Sequence, residues 1–181
     1  DPKATVARWR KYCKDQGIGE IFLIAAQIYG CTNPYQYGFD AAVEFPPHTM
    51  SDCEEITYQT NILNPKFSGK IWDYEYFVRS KEYLEKVPYT LFKCIAPGWD
   101  NTPRRPNTPS IYLGSTPTLY REWLLDLIRW SKKVQKKEHR IIFINAWNEW
   151  AEGAHLEPDR KYGYGYLQST AEAILESRLN E

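Results

Sequence analysis

Four short apolar runs, each handing over to polar residues and then to a helical pattern, constrain this chain more than any other feature. They occupy residues 21–26, 41–45, 89–96 and 140–145. Apolar runs of that length suit strands buried on both faces. The segments around them have helical spacing. Asp1-Pro2 reads as an N-cap with proline at the first helical position, and Val6, Trp9 and Cys13 then share a face up to Gly17. Residues 73–86 carry Tyr76, Phe77, Tyr83 and Leu84 in an approximately helical pattern. Thr116-Pro117 opens a long helix striped by Leu119, Trp123, Leu124, Leu127 and Val134. A final helix over about residues 164–179 is predicted to turn Leu167, Ala171, Ile174 and Leu175 inward.

Strand and helix in alternation make this an α/β chain with a parallel sheet and crossover helices. Four βα units are about half of a TIM-type (β/α)8 barrel. A sheet left open at that stage has two uncovered apolar edges. The single domain over residues 1–181 is therefore expected to associate with a missing N-terminal half or with a second copy of itself. A self-sufficient open sheet is the remaining option. Pro46-Pro47 and Pro97-Gly98 stop the second and third strands, and the polar stretches 49–72 and 99–115 read as long loops at one end of the sheet.

Composition excludes several partners. Lys plus Arg number 23 and so do Asp plus Glu, so no overall basic field draws nucleic acid or anionic membrane. No apolar run approaches membrane-spanning length, and no N-terminal signal pattern is visible. The chain opens at Asp1, which leaves the compartment open, with the cytoplasm as the default expectation. Its four cysteines form no CxxC. Cys13 and Cys94 lie in apolar contexts as free buried thiols, and a Cys31–Cys53 disulfide is the less favoured alternative for the other two. Seven Trp and fourteen Tyr are unusually many, and those beside polar loop residues are candidates for a carbohydrate platform.

The chemistry concentrates where the fourth strand ends. Ile141-Ile142-Phe143-Ile144-Asn145 runs into Ala146-Trp147-Asn148-Glu149-Trp150-Ala151-Glu152-Gly153-Ala154-His155-Leu156-Glu157-Pro158. A buried strand that delivers carboxylates and indoles at its C-terminal end is how α/β barrels present active sites. Glu149 and Glu152, beside Trp147 and Trp150, suit sugar chemistry: carboxylates move protons at hydroxyl and glycosidic oxygens, and flat indoles cover the C–H face of a pyranose. The plainer reading is that one glutamate caps a helix or holds an arginine, because a charged group there is costly unless paired or used. Glu44, on the second strand, points either into the barrel mouth toward substrate or toward a buried arginine. Arg104 and Arg105 either bind hydroxyls or a carboxylated or phosphorylated sugar, or pair with surface acids. Asp100 reads as a turn cap. His155 and Glu157 either contact substrate or orient the loop. No metal site is expected, since His48, His155 and the acids show no ligand spacing. No cofactor is expected either: there is no phosphate-cradling Gly-rich loop and no Asp-x-Asp.

The stretch from Trp147 to Pro158, with Asp159-Arg160-Lys161-Tyr162-Gly163 and Tyr166-Leu167 after it, resembles the C-terminal signature of the WbsX family. Phe39-Asp40-Ala41-Ala42-Val43-Glu44-Phe45-Pro46-Pro47-His48 and Pro97-Gly98-Trp99-Asp100-Asn101-Thr102-Pro103-Arg104-Arg105 are similar to the same family. Such proteins are labelled glycosyltransferases of bacterial lipopolysaccharide or O-antigen synthesis and are also described as glycoside hydrolase family 99-like. The resemblance covers nearly all of this chain and the second half of the family's usual length, and it implies a barrel whose first four strands precede Asp1. It also implies roles. Glu149 would be the base on the sugar 2-hydroxyl and Glu152 the general acid/base at the glycosidic oxygen, with retention through an anhydrosugar. Trp147, Asn148 and Trp150 would line the sugar subsite. Trp99, a further substrate-binding candidate, stands where family 99 enzymes usually carry Tyr. Glu152 would then need a raised pKa, for which Trp150 is the expected apolar neighbour. Three functions stay open: a hydrolase-like enzyme on a polysaccharide, a glycosyltransferase, and a non-catalytic glycan-binding or structural fragment.

Overall fold

The computed structural model describes residues 1–28, 30, 32–50 and 53–179. In chain order its elements are α1 (Pro2–Asp15), β1 (Ile24–Ala26), β2 (Ala41–Val43), β3 (Lys70–Asp73), α2 (Tyr74–Ser80), β4 (Leu91–Ile95), β5 (Trp99–Asp100), β6 (Ser110–Leu113), α3 (Pro117–Val134), β7 (Ile142–Ile144), β8 (Asn148–Glu149), β9 (Ala154–His155) and α4 (Gly165–Leu179). The helix starts follow the capping chemistry. Asp1 accepts the Lys3 N–H at 3.0 Å, and Thr116 accepts the Leu119 N–H at 3.2 Å, with a proline at the first position of each helix.

The four apolar runs form one parallel sheet in the order β1-β2-β4-β7, each strand beside the next of the four in sequence. That order, with α3 and α4 as outer helices, is consistent with half of a TIM-like barrel. Strand alternation sorts the side chains. Leu91, Lys93 and Ile95 face the helices: Lys93 sits over the Trp130 ring of α3, and Ile95 joins the aromatic core. Phe92 and Cys94 face the other way, toward the barrel interior, where Phe92 meets Phe143 edge to face at 6.0 Å. Phe143 and Ile141 are exposed on this interior side of β7 and its approach.

The core lies between the sheet and α2, α3 and α4. Trp123 is its hub, with the rings of Tyr74, Phe77 and Tyr83 at 6.0, 5.0 and 5.7 Å. Two expectations change here. On α4 the inward residues are Tyr166, Ser169, Ala173 and Ser177, whereas Ala171, Ile174 and Leu175 face solvent and Leu167 is partly buried. Small side chains win that face because α3 and α4 lie close along their length, fastened by Arg121 to Glu172 and Glu176 and by Arg129 to Glu176. On α1 only Val6 is fully buried; Trp9 is half exposed and Cys13 partly so, which leaves Cys94 as the enclosed thiol. Cys31 lies outside the described residues, and with it the alternative disulfide.

The two long loops are also not structureless. β3 pairs parallel with β6, and β5 pairs antiparallel with β6, giving a second small sheet over one end of the first. The long-range pairing of Lys70–Asp73 with Ser110–Leu113 joins the two excursions into one support. Among the described residues no helix is long and apolar enough to cross a membrane, and no group of His, Cys, Asp and Glu is arranged to hold a metal.

Candidate active site

The end of β7 is tied to its neighbours before the glutamates appear. The Asn145 N–H donates to the Ile95 carbonyl at 2.8 Å, and its side-chain amide donates to the Pro46 carbonyl at 2.8 Å. The Asn145–Ala146 and Pro46–Pro47 peptides are both cis. The Trp147 carbonyl then accepts the N–H groups of Leu156 and Glu157 at 2.9 and 3.1 Å, closing the base of a hairpin. Its arms are β8 and β9, with Asn148 opposite His155 and Glu149 opposite Ala154. Its tip is the single 3-10 turn Trp150–Glu152, ended by Gly153 at φ 63.

Glycines allow this hairpin to sit against the turn after β4. A Cβ on Gly153 would lie 2.9 Å from the Asp100 nitrogen, and one on Gly98 would lie 2.9 Å from Ser115 Oγ and 3.3 Å from the Gly153 carbonyl. Close backbone approach thus unites two sequence motifs more than 40 residues apart. Asp100 caps its own turn, accepting the Thr102 N–H at 2.9 Å and hydroxyl at 2.5 Å. The next carbonyl, of Asn101, accepts the N–H groups of Arg104 and Arg105.

Arg104 is aimed by that turn at the hairpin tip, where its guanidinium binds the Glu152 carboxylate. The Glu152 side chain is 16% exposed and that of Arg104 59%. Glu149 is exposed, as is Asn148, and Trp147 and Trp150 are each about half exposed. Trp150 is fixed on both its edge and its face. Its indole N–H donates to Glu157 at 2.6 Å, and its ring stacks on His155 with centroids 3.8 Å apart. His155 Nε2 in turn meets Asp159 at 3.3 Å. Partial burial acts to raise the Asp159 pKa, but the Tyr162 and Lys161 N–H groups and His155 outweigh it, and the carboxyl is held below its usual range. The contacts of His155 and Glu157 are therefore with the indole and the following loop. The apolar enclosure expected for Glu152 is not what surrounds it; its neighbour is a cation.

Two residues expected at the sugar subsite lie elsewhere. Glu44 faces the helix side of the sheet, where Oε1 binds Lys93 Nζ at 2.5 Å and Oε2 accepts the Cys94 N–H at 3.3 Å. Burial pushes its pKa up, against the pull of Lys93. Glu44 thus turns away from the mouth, and its partner is a lysine of the adjacent strand where an arginine was the expected alternative. The pair lines a cleft of about 1000 Å³ outside the sheet, walled by Gln27, Phe77 and Leu91. Trp99 is buried under the hairpin, paired with Tyr112 and packed in the core with Ala154, because β5 carries it inward. Arg105 stands exposed at the rim beside Arg104.

The family model described as Glycosyltransferase WbsX matches residues 1–170. The chain belongs to the WbsX family. Proteins named WxcX from two strains of Xanthomonas campestris pv. campestris are 45% identical to this WbsX chain over 174 residues, which is 96% of the chain and 25% of theirs. The chain thus spans about a quarter of the length of these relatives. A solved structure described as a glycoside hydrolase-like protein superposes with a TM-score of 0.59 at 18% identity, covering 96% of this chain and 49% of that one. At that identity the likeness concerns the fold: a WbsX chain of this length corresponds to about half of the neighbour's chain.

Some members of the site were not singled out from the sequence. Asn145 staples the end of β7 to the turn after β2, Phe45 and His48 place partly exposed rings beside that staple, and Asp159 holds His155. The available signals were the polar residue closing an apolar run and an acid four positions after a histidine.

Proposed function

We propose that this chain supplies the glutamate-bearing half of a carbohydrate-active enzyme that cleaves glycosidic bonds of an oligo- or polysaccharide, in the manner of glycoside hydrolase family 99. The observation that carries the reading is the hairpin after β7. It sets Glu149 just before and Glu152 at the end of one short turn, beside two half-exposed indoles, at the C-terminal end of a parallel sheet. Trp147 and Trp150 offer faces for a sugar ring. Membership of the WbsX family supports a sugar substrate.

In the proposed reaction Glu149 takes the proton from the sugar 2-hydroxyl. That oxygen bonds to C1 as the bond from C1 to the leaving oxygen breaks, and Glu152 gives its proton to the leaving oxygen. Glu152 then takes a proton from water, the water oxygen bonds to C1, the bond from C1 to O2 breaks, and Glu149 returns its proton to O2. The net change is hydrolysis with retained configuration. Asn148 and Arg105 would hold hydroxyls around the indoles. Other strands of the barrel, contributed by a complementary half, would complete the subsites.

Transfer from a nucleotide sugar in lipopolysaccharide or O-antigen synthesis is the second reading, and the family's description as a glycosyltransferase supports its transfer step. Incubating a protein that joins this chain to a complementary half with a surface glycan, and separately with nucleotide sugars, tells the two apart. Hydrolysis releases reducing sugar whose first-formed anomer, read by proton NMR, matches that of the substrate. Release of free nucleotide only in the presence of an acceptor would establish transfer instead.

A further inference from the structure

The Arg104–Glu152 pair poses a chemical problem for that reaction. A carboxylate held by a guanidinium is charged, and a charged Glu152 has no proton to give. The geometry indicates how the pair opens. Arg104 is anchored through its backbone, by the Asn101 carbonyl and the Asp100 turn, while its side chain lies mostly in solvent. Glu152 is the enclosed partner, seated on the single turn between β8 and Gly153. The arginine can therefore swing out into solvent without any backbone change, while Glu152 sits in the more enclosed place. A second anion can compete with a carboxylate for a guanidinium that is free to move in this way. Arg105 stands beside it on the same turn, its backbone on the same Asn101 carbonyl, and exposed.

Resting on the two-glutamate reading, we propose that the substrate is an anionic glycan. A carboxylate or phosphate on a sugar next to the cleaved linkage takes Arg104 from Glu152, with Arg105 beside it. With the cation drawn off and a second anion beside it, the enclosed Glu152 takes up a proton from solvent hydronium and becomes the acid. An acidic sugar thereby both binds and arms the site, whereas a neutral glycan leaves the internal pair closed. Arg104 contacts the substrate in this scheme, and Glu152 acts before binding as its competitor for Arg104.

The competition gives the proposal its test. Three matched probes are used on the full chain: a galacturonate trimer, its carboxyl-reduced galactose counterpart, and that neutral trimer phosphorylated at the terminal 6-hydroxyl. Binding is read by intrinsic tryptophan fluorescence, to which the half-exposed Trp147 and Trp150 contribute. At least one charged trimer should bind about tenfold more tightly than the neutral one, and which of them does so separates carboxylate from phosphate. Arg104→Ala should erase the ratio. Glu152→Gln should tighten the charged trimer several-fold and leave the neutral one alone, because the internal competitor is gone; a purely structural pair would not behave so. Equal binding of all three probes, no binding of any, a ratio that survives Arg104→Ala, or weaker charged binding in Glu152→Gln would each overturn the proposal. Turnover of Glu152→Gln judges the two-glutamate reading separately, so either can fail alone.

Discussion

Two carboxylates leave the same parallel sheet and meet opposite fates. Glu44 follows β2 and turns to the helix side, where it and Lys93 form a pair whose side chains are 10% and 2% exposed. Glu152 follows β7 by way of the hairpin and meets Arg104, whose side chain is in solvent. The first pair is locked by depth: both charges have lost water, Trp130 covers the ammonium, and the Cys94 N–H occupies the second oxygen. The second is open on one side, so one partner can leave at little cost. A buried pair of this kind fixes a strand neighbour; a rim pair can be exchanged for a ligand. The same residue types at the ends of strands in one sheet thus divide into architecture and chemistry by depth and by which face the strand turns outward.

That contrast can be broken by substitution. Glu44→Gln should cost about 3–5 kcal/mol, because it leaves the Lys93 charge buried without its partner. Replacing both members by Met should restore most of that loss, as read by denaturant midpoints. If the single substitution were tolerated, the distinction by depth would fail. The pH dependence sharpens the contrast further. Asp159 is held below its ordinary pKa, so its contribution to stability is complete above the ordinary carboxylate range and is lost as pH falls through the lowered value. Asp159→Asn should flatten this acid limb in melting curves and free the His155–Trp150 stack; an unchanged limb would argue against that network. Burial raises Glu44, so the sign there is reversed: its contribution is present below the ordinary range and fades as pH rises through the raised value. The smallest effect belongs to Arg104→Ala, which should move stability by no more than about 0.5 kcal/mol, since exposed pairs contribute little. A loss several times larger would make that pair structural too.

Much of this was legible in the chain itself. The four sheet strands fall inside the apolar runs, trimmed by one to three residues at their ends, because a buried parallel strand needs apolar side chains on both faces. α1 and α3 begin where an Asp-Pro and a Thr-Pro pair put a cap and a preset φ. The small sheet of β3, β5 and β6 was not legible, since Lys70–Asp73 finds its partner some forty residues away and neither segment is strongly apolar. The buried face of α4 was misread because periodicity weighs Ile174 and Leu175 by hydrophobicity, whereas close contact with α3 selects Ser169, Ala173 and Ser177 by size. At the site, each motif could be read alone. That Arg104 would meet Glu152, and that Glu44 would turn from the mouth to Lys93, depended on strand parity and on a glycine-to-backbone contact that no local pattern encodes.

The exposed interior face of β7, with Phe143 and Ile141, and the solvent-facing Ile174 and Leu175 of α4 are where a complementary half of the barrel would pack. Activity is therefore best measured on a protein that joins this chain to such a half. The account rests most directly on the turnover of a glycan by that protein with Glu152→Gln beside the wild type. It predicts a loss of about 10²–10⁴-fold with an unchanged melting temperature, the scale of a missing general acid. Turnover within a few-fold of wild type would contradict it.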